Sequence, residues 1–150
     1  MSAAEVRMTR VAVIGAGTMG HGIAQVMGMA ECDVMLVDAS SEALGKGLAA
    51  IQANLDKGVA RGKVTEAVRD ASLQRISGTS ELAVAVEDAD LVIEAVPERL
   101  ELKQSLFKMA ERHAPDSAIF ATNTSSLSIA RIASVLTDPG RVIGMHFFNP

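Results

Sequence analysis

Tyrosine and tryptophan are missing altogether, and phenylalanine occurs only 4 times. Chemistry that relies on a tyrosine–lysine catalytic pair is therefore excluded. A single cysteine, Cys32, leaves no partner for an internal disulfide, and no Cys/His cluster suggests a metal site. Cys32 is expected to be a small buried apolar side chain, and a reducing, cytoplasmic compartment fits its isolation. Met1 to Arg10 has no apolar run of signal-peptide length. No run approaches the ~20 apolar residues that cross a membrane. Positive charge is concentrated nowhere: 14 Lys and Arg stand against 18 Asp and Glu, for a net charge of −4. A nucleic-acid partner is disfavoured on that ground. What is present is apolar, 49% hydrophobic against 21% charged in 150 residues, which suits one folded domain over residues 1–150.

Strand-like and helix-like segments alternate along the chain. Arg10 to Ile14 is a β-branched run that stops at Gly15, and Val34 to Val37 is another, ended by Asp38. Between them Thr18 to Ala30 reads as a helix. Ser40 or Ser41 can cap a long helix whose apolar face is Leu44, Leu48, Ile51, Leu55 and Val59, with Gly62 at its end. Thr65 to Leu73 reads as a shorter helix running back, so the two form a helical hairpin projecting from the sheet. Arg75 to Thr79 is a weak strand, and Glu81 to Val86 is open between helix and strand. Leu91 to Val96 is a strand stopped by Pro97. Glu98 to His113 is a helix, expected to turn Leu102, Leu106 and Met109 inward. Ala118 to Ala121 is a strand, a helix through Ala133 is capped at Ser125 or Ser126, and Val142 to Met145 is the last strand. The pattern defines an α/β fold: a doubly wound parallel sheet of Rossmann type.

Gly15-Ala16-Gly17-Thr18-Met19-Gly20 matches G-x-G-x-x-G, follows a strand and opens a helix. Gly15 permits the tight turn, Gly17 lets the backbone approach a pyrophosphate, and Gly20 lets the helix pack on the strand. Free amides at the helix start, from Thr18 and Met19 onward, stabilise phosphate. Asp38 closes the second strand at about the 20-residue separation at which an acidic residue meets ribose hydroxyls. Its charge would repel a 2′-phosphate, and no Arg follows it at once, so NAD is expected rather than NADP. Ligands bind outside the carboxyl ends of parallel strands. Glu98, Lys103, Ser125, His146 and Asn149 sit in or just beyond segments that open there.

Four motifs together resemble the 3-hydroxyacyl-CoA dehydrogenases: Gly15 to Gly20, Glu94-Ala95-Val96-Pro97-Glu98, Thr122-Asn123-Thr124-Ser125-Ser126, and His146-Phe147-Phe148-Asn149-Pro150. The chain looks most like the family's bacterial 3-hydroxybutyryl-CoA members, over all 150 residues. The resemblance implies reversible, NAD-dependent oxidation of a 3-hydroxyacyl-CoA to a 3-ketoacyl-CoA, as in fatty-acid metabolism. It implies that His146 is the base that takes the hydroxyl proton, a task suited to imidazole near neutral pH. It implies that Ser125 bonds near the reacting oxygen and the nicotinamide, that Asn149 helps hold substrate and cofactor, and that Glu98 and Lys103 line the cofactor side. The hairpin matches the part of the family's domain that meets coenzyme A, where Asn54 and Arg61 stand for the family's serine and lysine and Lys57 shares their face.

The same resemblance implies a helical C-terminal domain that this chain lacks, along with the glutamate that orients the histidine, most of the acyl pocket and the homodimer contact. The 150-residue chain is accordingly expected to turn over poorly alone, since unsupported catalytic groups lose their geometry. Two other readings stay open on the sequence: a different NAD-dependent dehydrogenase with the same N-terminal fold, and an NAD-binding module that performs no chemistry. Eight methionines are expected to fill core gaps. His21 reads as a helix-surface residue near the phosphates, and His113 as a helix-end cation that complements the dipole.

Overall fold

The computed structural model describes residues 7–148. Strands β1 (Arg10–Ile14), β2 (Asp33–Val37), β3 (Ile76–Thr79), β4 (Leu91–Glu94), β5 (Ile119–Thr122) and β6 (Val142–Gly144) alternate with helices. The helices are α1 (Thr18–Met29), α2 (Ser41–Ala60), α3 (Glu66–Arg75), α4 (Leu82–Val86), α5 (Leu100–His113) and α6 (Ile129–Ala133), with one 3-10 turn at Pro139–Arg141. The strands form a single parallel sheet in the order β3-β2-β1-β4-β5-β6. That order reverses between β1 and β4, and ligands of open α/β sheets bind at such a switch point, outside the strands' carboxyl ends.

Successive side chains of a strand point to opposite faces, and β1 feeds a separate core with each set. Val11 and Val13 pack with Ile23 and Ala24 of α1 and Ile51 and Leu55 of α2. Ala12 and Ile14 pack with Ala85 and Val86 of α4 and Phe107 and Ala110 of α5. Both faces of the sheet are covered, which is why its inner strands are apolar without alternation.

Ser40 caps α2 by accepting the Ala43 N–H at 3.1 Å, and Thr65 caps α3 by accepting the Val68 N–H at 3.1 Å. Arg69 of α3 pairs with Asp56 of α2 at 3.3 Å, holding the two helices antiparallel. Leu44, Leu48, Ile51 and Leu55 of α2 pack into the first core, while Val59 and Val64, on either side of the hairpin's turn, are half-buried.

Four local expectations are corrected. The helix through Ala133 is capped by Ser128, which accepts the Arg131 N–H at 3.3 Å, rather than by Ser125 or Ser126. α5 buries Lys103, Phe107 and Ala110, one residue round from Leu102 and Met109, while the expected Leu106 does pack, half-buried, against the second core. Lys103 turns inward to reach a carboxylate on β4, and Phe107 meets Phe120 edge to face with centroids 5.4 Å apart. Met109 is left 48% exposed. β4 ends at Glu94 rather than Val96, although the Ala95 N–H still donates to Ile14 at 2.9 Å. Cys32 is half-buried, with its thiol donating to the Met8 carbonyl at 3.6 Å. Burial pushes that thiol's pKa up, the neighbouring Asp33 adds to the rise, and Arg75 opposes it. The segment Glu81 to Val86 resolves as helix α4.

Candidate functional site

The glycine loop joins β1 to α1 at the switch point. Gly15 adopts φ +102°, where an L side chain is strained, and a Cβ there would also lie 2.8 Å from the Ala95 carbonyl oxygen. A Cβ on Gly20 would lie 1.6 Å from the Gly15 carbonyl oxygen, so α1 is pressed against the loop it follows. A Cβ on Gly17 would meet nothing within 4 Å. That position opens to the outside, where a pyrophosphate can approach the backbone.

Asp38 does more than close β2. Its Oδ2 accepts the Ala16 N–H at 3.0 Å and its Oδ1 accepts the Ser40 N–H at 2.9 Å. One carboxylate thus ties the glycine loop to the start of α2. A glycine within α2 completes the fit: a Cβ on Gly47 would lie 2.7 Å from the Ala16 carbonyl oxygen. His21, one turn into α1, holds Nδ1 2.7 Å from the Gly17 carbonyl, so Nδ1 carries the proton in that contact.

Two grooves run along this edge of the sheet and share Val96. The first, of about 550 Å³, is mainly apolar and is lined by Gly15, Val37, Asp38, Val96, Leu102 and Met109 among others. The outward apolar face of α5 forms part of its wall. The second, of about 330 Å³, brings together Met19, Glu98, Asn123, Ser125 and His146. A purine and ribose fit the chemistry of the first groove, with an apolar wall and the carboxylates of Asp38 and Glu81. A polar ring and a reacting hydroxyl fit the second, and the glycine loop lies between.

Three loops build the second groove. The loop after β4 carries Glu98, whose Oε2 accepts the Ser125 N–H at 3.2 Å and the Ser126 hydroxyl at 3.4 Å. The loop after β5 carries Asn123 and Ser125. The segment after β6 carries His146, and it is pinned to the β5 loop by the Phe147 N–H, which donates to Asn123 Oδ1 at 3.0 Å. His146 stands edge to face with Phe148, centroids 4.8 Å apart. Burial pushes the Glu98 carboxyl pKa up, but the Thr124 hydroxyl, the Ser125 N–H and the Lys103 ammonium outweigh it and hold the pKa below the usual carboxylate value.

Beneath the groove lies a charged cluster. Lys103 and Glu94 are both 0% exposed, and Nζ donates to Glu94 Oε1 at 2.9 Å and Oε2 at 2.7 Å. The same ammonium stands 3.2 Å from Glu98 Oε1 and donates to the carbonyls of Val96 at 3.4 Å and Asn123 at 3.3 Å. Glu94 also accepts the Val96 N–H at 2.9 Å and the Thr122 hydroxyl.

Of the residues singled out in the sequence, Met19, Glu98, Ser125 and His146 meet in one groove, and Gly15 and Asp38 in the other. Gly17 and Gly20 shape the loop between, and Thr18 begins the helix whose amides face it. Lys103 lies below the surface and reaches the groove through Glu98. Asn54 and Lys57 lie exposed on α2 and Arg61 at its C-terminal cap, away from both grooves, and Asn54 donates to Gln25 of α1 at 3.3 Å. Asn149 lies outside the described residues. Sequence reasoning named Glu94 and Asn123 only as members of their motifs, without a role, and passed over Gly47. Glu94 gave a signal, a carboxylate inside an apolar strand run, which demands a buried partner. Among the described residues no group of three His, Cys, Asp or Glu side chains could hold a metal ion, and no helix is long and apolar enough to cross a membrane.

Strand order, glycine loop and acidic strand end together define a dinucleotide-binding α/β domain. Comparison with known proteins narrows the class. Residues 10–150 match the family model of the 3-hydroxyacyl-CoA dehydrogenase NAD binding domain, and the chain belongs to that family. It is 44% identical over 145 residues to the 3-hydroxyadipyl-CoA dehydrogenase of Escherichia coli K12, covering 97% of this chain and 30% of that protein. It is 43% identical over 141 residues to a 3-hydroxybutyryl-CoA dehydrogenase of Clostridioides difficile, covering 94% of this chain and 50% of that protein. The solved structure of a 3-hydroxybutyryl-CoA dehydrogenase from Escherichia coli K12 superposes with a TM-score of 0.93 at 43% identity, over 97% of this chain and 30% of the other. The chain thus spans half or less of the length of these relatives.

Proposed function

We propose that this chain is the cofactor-holding part of an NAD-dependent dehydrogenase that oxidises the 3-hydroxyl of a 3-hydroxyacyl-CoA. The observation that carries the reading is the second groove, which sets His146, Ser125 and Glu98 together beside the glycine loop. NAD, when bound, supplies the hydride acceptor. Asp38 takes the ribose hydroxyls, and the amides at Gly17, Thr18 and Met19 take the pyrophosphate. His146 takes the hydroxyl proton as the substrate's carbon gives up its hydride, and returns that proton in the reverse direction. Ser125 bonds the reacting oxygen, and Asn149 helps hold substrate and cofactor together. Glu98 and, beneath it, Lys103 shape the cofactor side.

Asn54, Lys57 and Arg61 provide the coenzyme A contact. Spacings of three and four put them on one helical face, and two cations there suit a polyanionic ligand. 3-Hydroxybutyryl-CoA is the substrate this reading puts first.

The test is reduction of acetoacetyl-CoA by NADH, measured on the longest natural form that carries this sequence, with and without His146→Ala. Turnover that collapses by at least about a hundredfold in the variant, the scale of a lost general base, supports the reading. Turnover unchanged by the substitution contradicts it. A protein that binds NADH but reduces no 3-ketoacyl-CoA points to a different dehydrogenase.

A further inference from the structure

The Glu94–Lys103 pair is buried completely at the base of the groove that we assign to the nicotinamide end of NAD. Stability alone does not account for it, since apolar residues of similar volume are often as stable as a buried ion pair or more so. Its connections lead to the functional residues. Lys103 reaches Glu98 at 3.2 Å and the Asn123 carbonyl at 3.3 Å, and the Asn123 side chain anchors the His146 segment through the Phe147 N–H.

The charges sum in one direction. Lys103 stands between two carboxylates, Glu94 and Glu98, so the three groups together carry one net negative charge. Glu94 and Glu98 share one ammonium, so one negative charge remains over, and Glu98 is the member of the three that faces the groove. Glu98 is 35% exposed there, while Glu94 and Lys103 are sealed. Oxidised NAD differs from NADH by one positive charge, located on the nicotinamide ring.

We infer that Glu94 is a positioning residue that, by neutralising Lys103, leaves the groove net negative and so biases the site toward the oxidised cofactor. This inference rests on the functional reading given above. It gives Glu94 a task that its burial alone does not require.

The test compares the affinities of NAD+ and NADH by titration calorimetry of this chain and two variants. Glu94→Gln removes one negative charge in nearly the same volume. It should weaken NAD+ relative to NADH by about tenfold to thirtyfold, the scale of a unit charge roughly 8–12 Å away at an effective dielectric of about 20. The double variant Glu94→Gln/Lys103→Gln restores the net negative charge through Glu98 and should bring the affinity ratio back toward that of the parent. If Glu94→Gln does not fold, Lys103→Gln is compared with the double variant, because the two differ only in the Glu94 charge. A ratio that favours NAD+ more in Lys103→Gln than in the double variant then supports the inference, and equal ratios overturn it. Equal loss of affinity for both forms in Glu94→Gln overturns it too, and makes Glu94 purely structural. A parent chain that binds neither form overturns the functional reading itself.

Discussion

Asp38 Oδ2 accepts a hydrogen bond from the Ala16 N–H at 3.0 Å, so the residue expected to hold the cofactor's ribose also holds the glycine loop in place. One carboxylate serves recognition and preorganisation together. Its Oδ1 is tied to Ser40 at the head of α2, which fixes the carboxylate's direction before any ligand arrives.

Asp38→Asn keeps the shape and removes the charge. NADH affinity should fall by about 10- to 100-fold, the scale of a lost hydrogen bond to a charged group. NADPH should lose less, because the repulsion of its 2′-phosphate disappears as well. Calorimetric titration of both cofactors reads this, and parallel losses would count against the ribose assignment.

Alanine at Gly20 and at Gly17 should separate folding from binding. At Gly20 the new methyl would lie 1.6 Å from a backbone oxygen, so α1 must shift or the loop must open. Stability should drop by about 1–3 kcal/mol or more. At Gly17 the methyl meets nothing within 4 Å, so the thermal midpoint should barely move while NADH affinity falls. Thermal unfolding and titration on the same two variants check the contrast.

Glu98 predicts an acid-side dependence of stability. Its folded pKa is held below the ordinary value of 4.5 by Thr124, Ser125 and Lys103 acting against burial. A lowered folded pKa means stability that is complete above the unfolded value and is lost as pH falls from 4.5 through the folded one. Urea midpoints of the parent should therefore decline over that acid window more steeply than those of Glu98→Gln. Identical pH slopes would contradict the proposed contacts.

Lys103→Met leaves Glu94 buried and unpaired. Breaking a buried pair in that way costs about 3–5 kcal/mol. Replacing both partners with apolar residues should recover much of the loss. Urea unfolding of the single and double variants measures this, and equal stabilities would sink the account of the cluster.

Much of this was legible in the sequence. The β-branched run before Gly15, the motif through Gly20 and the acid at Asp38 fix three elements and their order, because each residue there has a local backbone reason. The inward face of α5 was misread for a definite cause. Lys103 scores as polar, so the periodicity favoured its neighbour Leu102, and nothing local reveals that a carboxylate on β4 waits to receive it. Asn123 was hidden for a similar reason, since its side chain is spent on the backbone of a segment 24 residues away. Gly47 looks like an ordinary weak point in a helix until α2 is seen against Ala16. Long-range partners of this kind are set by strand order, which short-range patterns imply only in outline.

The most direct test of the central claim is a calorimetric titration of this 150-residue chain with NADH and, separately, NADPH. The account predicts saturable binding of NADH at one site and clearly weaker binding of NADPH. Binding of neither, or tighter binding of NADPH, would contradict it.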